Sequence, residues 1–145
     1  MNRKKITIFS ISSLVMMMLL MSLSSVTAEQ TVDTELEISS IAGGFAQVTI
    51  DVKNIGPEVA ENISMIIDVK GGFLGRIDVL QICSGCSSCG TTLDPGAIKT
   101  ESTIEAGIIF GFGPITIAAS AAAINAPEVT LEANGFVIGP VVIIQ

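Results

Sequence analysis

The chain has 145 residues, 14 acidic against seven basic side chains, and no His, Trp or Tyr. A chain of this size supports one domain around one core. Without histidine, Ser-His-Asp and Cys-His nucleophile systems are excluded in their usual forms, and the acidic balance repels nucleic-acid phosphates and anionic lipid heads.

Arg3, Lys4 and Lys5 open the chain and precede an unbroken apolar run from Leu14 to Met21. Val26-Thr27-Ala28 then places small residues three and one positions before Glu29, which suits a signal peptidase. The pattern predicts a signal peptide over residues 1–28, cleaved after Ala28. The competing reading is an uncleaved anchor, because Ile6 to Val26 would span about 31 Å as a helix. Seven Ser or Thr residues interrupt that stretch, which favours cleavage. Cleavage leaves residues 29–145, with four basic residues against 14 acidic ones and a net charge of −10. Such a charge keeps an exported domain soluble.

From Glu35 onward the pattern is period 2. Leu36 and Ile38 alternate with Glu35, Glu37 and Ser39, and Gly43-Gly44 breaks the run. Val48, Ile50 and Val52 alternate with Thr49, Asp51 and Lys53 until Asn54-Ile55-Gly56-Pro57. A third strand is expected from about Asn62 to Lys70, with Ile63, Met65, Ile67 and Val69 on one face and Ile66 as the exception. Gly71-Gly72 leads into a shorter strand over Ile77 to Ile82, ahead of a cysteine loop. Leu93-Asp94-Pro95-Gly96 reads as a turn, since proline presets one torsion and glycine accepts a positive one.

Strand signals resume near Ile98, with Ile98, Thr100, Ser102 and Ile104 on one face. Gly107 to Pro114 reads as a glycine-rich hairpin region. Ile115 to Ile124 has a helix-compatible alanine run, Ala118 to Ala123, but it lies between strand signals and is assigned as strand. Val129 to Leu131 and Phe136 to Ile144 complete the series, the last stretch being too short for a membrane helix. About seven short strands at this spacing predict an all-β, antiparallel β-sandwich.

Val48-Thr49-Ile50-Asp51-Val52-Lys53-Asn54-Ile55-Gly56, followed by Ala60-Glu61-Asn62-Ile63, resembles immunoglobulin-like repeats of the CARDB and DUF11 type. Leu93-Asp94-Pro95-Gly96 is similar to their Leu-x-Pro-Gly turn. The resemblance implies a single immunoglobulin-like domain over residues 29–145. It also implies a place among exported archaeal and bacterial surface proteins, where such repeats serve as spacers or adhesive modules. The chain departs from antibody-type domains in having no core Trp and no widely separated cysteine pair.

Cys83, Cys86 and Cys89 form a C-x-x-C-x-x-C run. Outside the cytoplasm a disulfide is the default. A Cys83–Cys89 bridge would contribute roughly 2–2.5 kcal/mol on the loop-entropy account, leaving the third cysteine free or paired with another molecule. A metal site would use Cys83, Cys86 and Cys89 with a carboxylate such as Asp94 or water, because Leu93 stands where a ferredoxin run has its fourth cysteine. A redox pair, Cys83 and Cys86, lacks the βαβ context and any basic neighbour in sequence. Asn62-Ile63-Ser64 is a glycan acceptor sequon on an expected strand.

Glu37, Asp51 and Asp68 sit in outward alternation, where a solvated face is their ordinary explanation. The absence of Trp and Tyr removes the usual sugar-stacking platforms. No calcium loop or phosphate-binding turn occurs. These features lead to the expectation of a secreted or cell-surface structural or adhesion module, without catalysis or cofactor. Its partner is a protein or cell-envelope component, with a disulfide-linked dimer as one form; nucleic acid is not expected. A membrane enters only if the N-terminal segment stays uncleaved. The alternative is a small exported thiol redox or metal-binding protein built on the cysteine run.

Overall fold

The computed structural model describes residues 34–84 and 92–145. Residues 1–28 with the cleavage point after Ala28, together with Cys86 and Cys89, lie outside them. In the described part, alternation becomes strand. The first strand, β1 (Leu36–Gly43), buries Leu36 and Ile38. In β2 (Val48–Asn54) the branched residues Val48, Ile50 and Val52 are fully buried, while Thr49, Asp51 and Lys53 are half-exposed. Burying each such side chain is worth about 1.5–3 kcal/mol.

After a two-residue bridge strand, β3 (Ala60–Glu61), comes β4 (Ser64–Gly71), which turns Met65, Ile67 and Val69 inward and Ile66 outward. There follow β5 (Ile77–Ser84), β6 (Thr92–Leu93), β7 (Ile98–Ser102), β8 (Gly111–Ala123), β9 (Ala126–Gly139) and β10 (Val141–Ile144). One sheet has the order β1-β2-β7, a second β10-β9-β8-β4-β5, and β3 pairs with β6. Every pairing is antiparallel. Leu36, Val48, Ile50 and Val52 from the first sheet join Met65, Ile67, Ile117 and Val137 from the second in one core cluster. The fold is all-β and sandwich-like.

Ten strands stand among the described residues where about seven were expected. Two of the additional ones, β3 and β6, have two residues each, too short to leave a periodic signal. The C-terminal stretches are also divided differently. Val129 to Leu131 belongs to the 14-residue β9, and Phe136 to Ile144 is split by a two-residue turn at Gly139-Pro140.

The alanine run is strand, as expected. Ala119 faces Ile67 and Ala121 faces Met65 across the β4–β8 ladder. Pairing on both sides, with β4 and β9, overrides the helix preference of alanine. By contrast, Gly107 to Pro114 is not a hairpin. β7 and β8 lie in different sheets, and residues 103–110 cross from one to the other. The buried hydroxyl of Thr103 anchors this crossing by accepting from the Val48 amide at 3.0 Å, and the Ile109 amide donates to the Ala46 carbonyl at 2.8 Å. On β7, Ile98 and Thr100 turn to solvent, while Lys99 and Glu101 are half-buried. Gln81 of β5, itself buried, donates to the Glu101 carboxylate at 3.0 Å, giving the polar side of β7 an inward partner.

Candidate functional site

The end of β2 is held by one buried side chain. Asn54 is fully buried, and its Nδ2 donates to the carbonyls of Glu58 at 2.7 Å and Leu93 at 2.8 Å. Its Oδ1 accepts from the Thr34 hydroxyl at 2.7 Å and the Gly56 amide at 3.0 Å. Asn54 therefore joins the chain entry, the turn after β2 and the approach to Asp94-Pro95-Gly96. That last turn closes through the Ala97 amide donating to the Asp94 carbonyl at 3.0 Å, with Gly96 at φ 77°. This geometry is a type II turn, where a positive torsion favours glycine. These contacts give Asn54, Gly56 and the Leu93 to Gly96 turn a structural task.

The cysteine run begins on a strand, not in a loop. Cys83 belongs to β5, lies opposite Met65, is buried in the core cluster and already has an interaction partner. Sequence reading missed this because the polar run after it hides the last inward position of the strand alternation. Cys86 and Cys89 are outside the described residues, as is any ligand set they would complete. Among the described residues, no group of three His, Cys, Asp or Glu is arranged to hold a metal ion. Asp94 is exposed in its turn.

Asn62 is not on a strand; it is exposed in the bend between β3 and β4, with φ 50°. Asparagine tolerates that left-handed torsion better than most residues. The bend places Asn62 with Ser64, Ser84 and residues 122–124 around a shallow recess of about 360 Å³. The sequon and the start of the cysteine segment thus share one end of the domain.

The carboxylates weighed for acid–base chemistry are dispersed. Asp51, on the outside of the first sheet, accepts from the hydroxyls of Thr100 and Ser40, and these bonds hold its carboxyl below the ordinary value. Glu37 is exposed and pairs in register with Lys53. Asp68 is on the second sheet, bridged to Lys70 at 2.6 Å. The hydrogen bond and charge of Asp68 raise the Lys70 pKa. Such exposed pairs contribute little to stability.

The opposite end carries a feature missed by the sequence reading. Five of the six phenylalanines follow residue 28, and four of them, Phe45, Phe73, Phe110 and Phe112, are exposed. They sit on the β1–β2, β4–β5 and β7–β8 connections and at the start of β8. Backbone bonds from Ala46 to Pro140 and from Ile109 to Ala46 bring two of these connections to the β9–β10 turn, and Gly72 donates to Pro114 beside them. Phe73, Phe110 and Phe112 line a groove of about 540 Å³ with Arg76 at its edge. Phe112 also meets Phe136 edge to face, centroids 5.2 Å apart. A signal was present: each of these rings is adjacent to glycine in sequence, where turns rather than core strands form.

The chain matches no protein-family model and no curated protein.

Proposed function

We propose that residues 29–145 form an exported immunoglobulin-like domain that acts as a structural or adhesion module of the cell surface, without catalysis. The gathering of four exposed phenylalanines at one end, while the carboxylates are spread over two sheets, carries this reading. It supports contact with another macromolecule more than chemistry on a small one. For the fold name, the strand order is the support. The β1-β2-β7 sheet corresponds to A-B-E of immunoglobulin domains, and β9-β8-β4-β5 corresponds to G-F-C-C′. β10 extends that second sheet beyond the G position.

The cysteine run serves the same reading as a cross-link. Cys83, at the end remote from the phenylalanines, pairs with Cys86 or Cys89, and the remaining cysteine is available to another chain. Export through residues 1–28 supplies the oxidising surroundings this pairing needs.

The test is retention on the host surface. Fluorescently labelled protein, purified as its host exports it, is added to intact host cells lacking the gene, washed and counted. Saturable retention is expected. Absence of retention, together with absence of the native protein from isolated envelopes, would overturn the proposal.

A further inference from the structure

We infer that the phenylalanine end is a self-association surface through which two copies of this chain meet end to end; this rests on the module reading above and names its partner. The first argument is area. Phe45, Phe73, Leu74, Ile108, Phe110 and Phe112 are all more than half exposed, with Leu74 at 81% and Phe45 at 73%. From ordinary side-chain sizes they present on the order of 800 Å² of apolar surface. The largest patch on a typical monomer is about 300–600 Å², whereas a standard interface takes about 800 Å² from each partner.

Shape gives the second argument. A two-fold interface uses one surface twice, so that surface must carry both a projection and its recess. Leu74 projects beside the groove lined by Phe73, Phe110 and Phe112. The same end holds both signs of charge, Arg76 at the groove and Glu105 on the turn before β8, each exposed. Around a two-fold axis, Arg76 of each copy faces Glu105 of the other.

Several backbone donors of these connections are already paired. Amides of Gly44, Ala46, Gly72, Gly75, Ala106, Gly107 and Ile109 donate to carbonyls within the domain. Burying the end therefore leaves those donors paired, which avoids the penalty for an orphaned amide. Elsewhere, a net charge of −10 after cleavage makes like-charged surfaces repel. A lipid surface is the competing occupant, and the observations favour it less. The acidic chain opposes anionic headgroups, and it has no Trp or Tyr to anchor at the interface.

The experiment is sedimentation velocity on the full chain as its host exports and processes it, reduced so that disulfide dimers do not contribute, from about 1 to 100 μM, the weak end of standard interfaces. A reversible monomer–dimer equilibrium is expected. Phe73→Asp, Phe110→Asp and Leu74→Asp each weaken it at least about 30-fold, as central apolar anchors do. Ile98→Asp, an exposed change on β7, leaves it unaltered. Arg76→Glu weakens association, and adding Glu105→Arg restores it. Circular dichroism on every variant separates lost contact from lost fold. A natively folded protein that stays monomeric throughout, or dimers indifferent to all three aspartate variants, would overturn the inference. So would binding of the monomer to phosphatidylcholine vesicles that is abolished by those same variants. Retention on host cells by a strictly monomeric protein would leave the module reading standing while this inference falls.

Discussion

The side-chain amide of Asn54 reaches the backbone carbonyl of Leu93 across 2.8 Å, from the last residue of β2 to the strand that precedes β7. The same nitrogen serves Glu58, whose carbonyl also accepts from the Thr34 hydroxyl at 2.9 Å. Asn54→Ala removes these bonds and one of two acceptors each for Thr34, whose hydroxyl keeps the Glu58 carbonyl, and Gly56, whose amide keeps the Glu35 carbonyl. The expected loss is about 1–3 kcal/mol, because the Leu93 carbonyl loses its buried side-chain donor and the network around Thr34 and Gly56 is halved. Asn54→Asp should be at least as damaging despite its similar volume, since it aims a carboxylate oxygen at two carbonyls. Urea unfolding midpoints check both. A loss below about 1 kcal/mol for Asn54→Ala would show that the network contributes little.

Two glycines near Asn54 differ in why they are glycine. A Cβ on Gly56 would overlap Thr34 Oγ1 and meet the Glu35 amide nitrogen at 2.5 Å. A Cβ on Gly96 would meet nothing within 4 Å, but Gly96 has φ 77°. Gly56→Ala therefore forces the chain entry away from the turn and should lose about 1–3 kcal/mol or more. Gly96→Ala carries only the left-handed strain, about 1 kcal/mol. Thermal melts of the two variants give the order directly, and the reverse order would refute the clash at Gly56.

What was legible in the sequence was the strand content, because Val48, Ile50 and Val52 or Met65, Ile67 and Val69 alternate with polar residues wherever one face is buried. Asp94-Pro95-Gly96 was legible for a local reason, the torsions that proline and glycine supply. Chain crossing between sheets was not. Gly107 to Pro114 has hairpin composition, and bonds to residues distant in sequence, Thr103 with Val48, 55 residues away, and Ile109 with Ala46, make it a crossover. The inward face of β7 was equally hidden, since Glu101 owes its position to Gln81 on the other sheet. Cys83 and the exposed phenylalanines show the same limit: burial depends on partners distant in sequence.

Asp51 should make part of the acid stability. Its folded pKa lies below the ordinary 3.8 through bonds from Thr100, then Ser40, so the unfolded chain takes up its proton first as pH falls. The stability it supplies is complete above the ordinary carboxylate value and is lost as pH drops through the lower folded one. Asp51→Asn should therefore flatten the acid limb of a plot of melting temperature against pH, between about 5 and 2. Thr100→Val should do the same in part. An acid limb unchanged in both variants would place the sensitivity on other carboxylates.

Intact mass of the native protein recovered from its host, with and without reduction and thiol alkylation, tests three sequence expectations together. Loss of residues 1–28 is expected from cleavage after Ala28, and retained Met1 or Lys4 peptides would refute it. The exposed bend at Asn62 gives an oligosaccharide transferase access, so a glycan mass should disappear in Asn62→Gln; an unmodified Asn62 peptide recovered quantitatively would count against it. For the cysteines, reduction should add the hydrogens of one intramolecular disulfide per chain or separate a covalent dimer. Because Cys83 is buried with Met65 opposite, alkylation before reduction should reach Cys86 or Cys89 and spare Cys83. Comparing Cys86→Ser with Cys89→Ser then identifies the partner, since the variant that keeps it retains the intramolecular disulfide and loses its one alkylatable thiol. Three reactive thiols without reduction, protected only when a metal ion is retained, would replace the cross-link by a metal site.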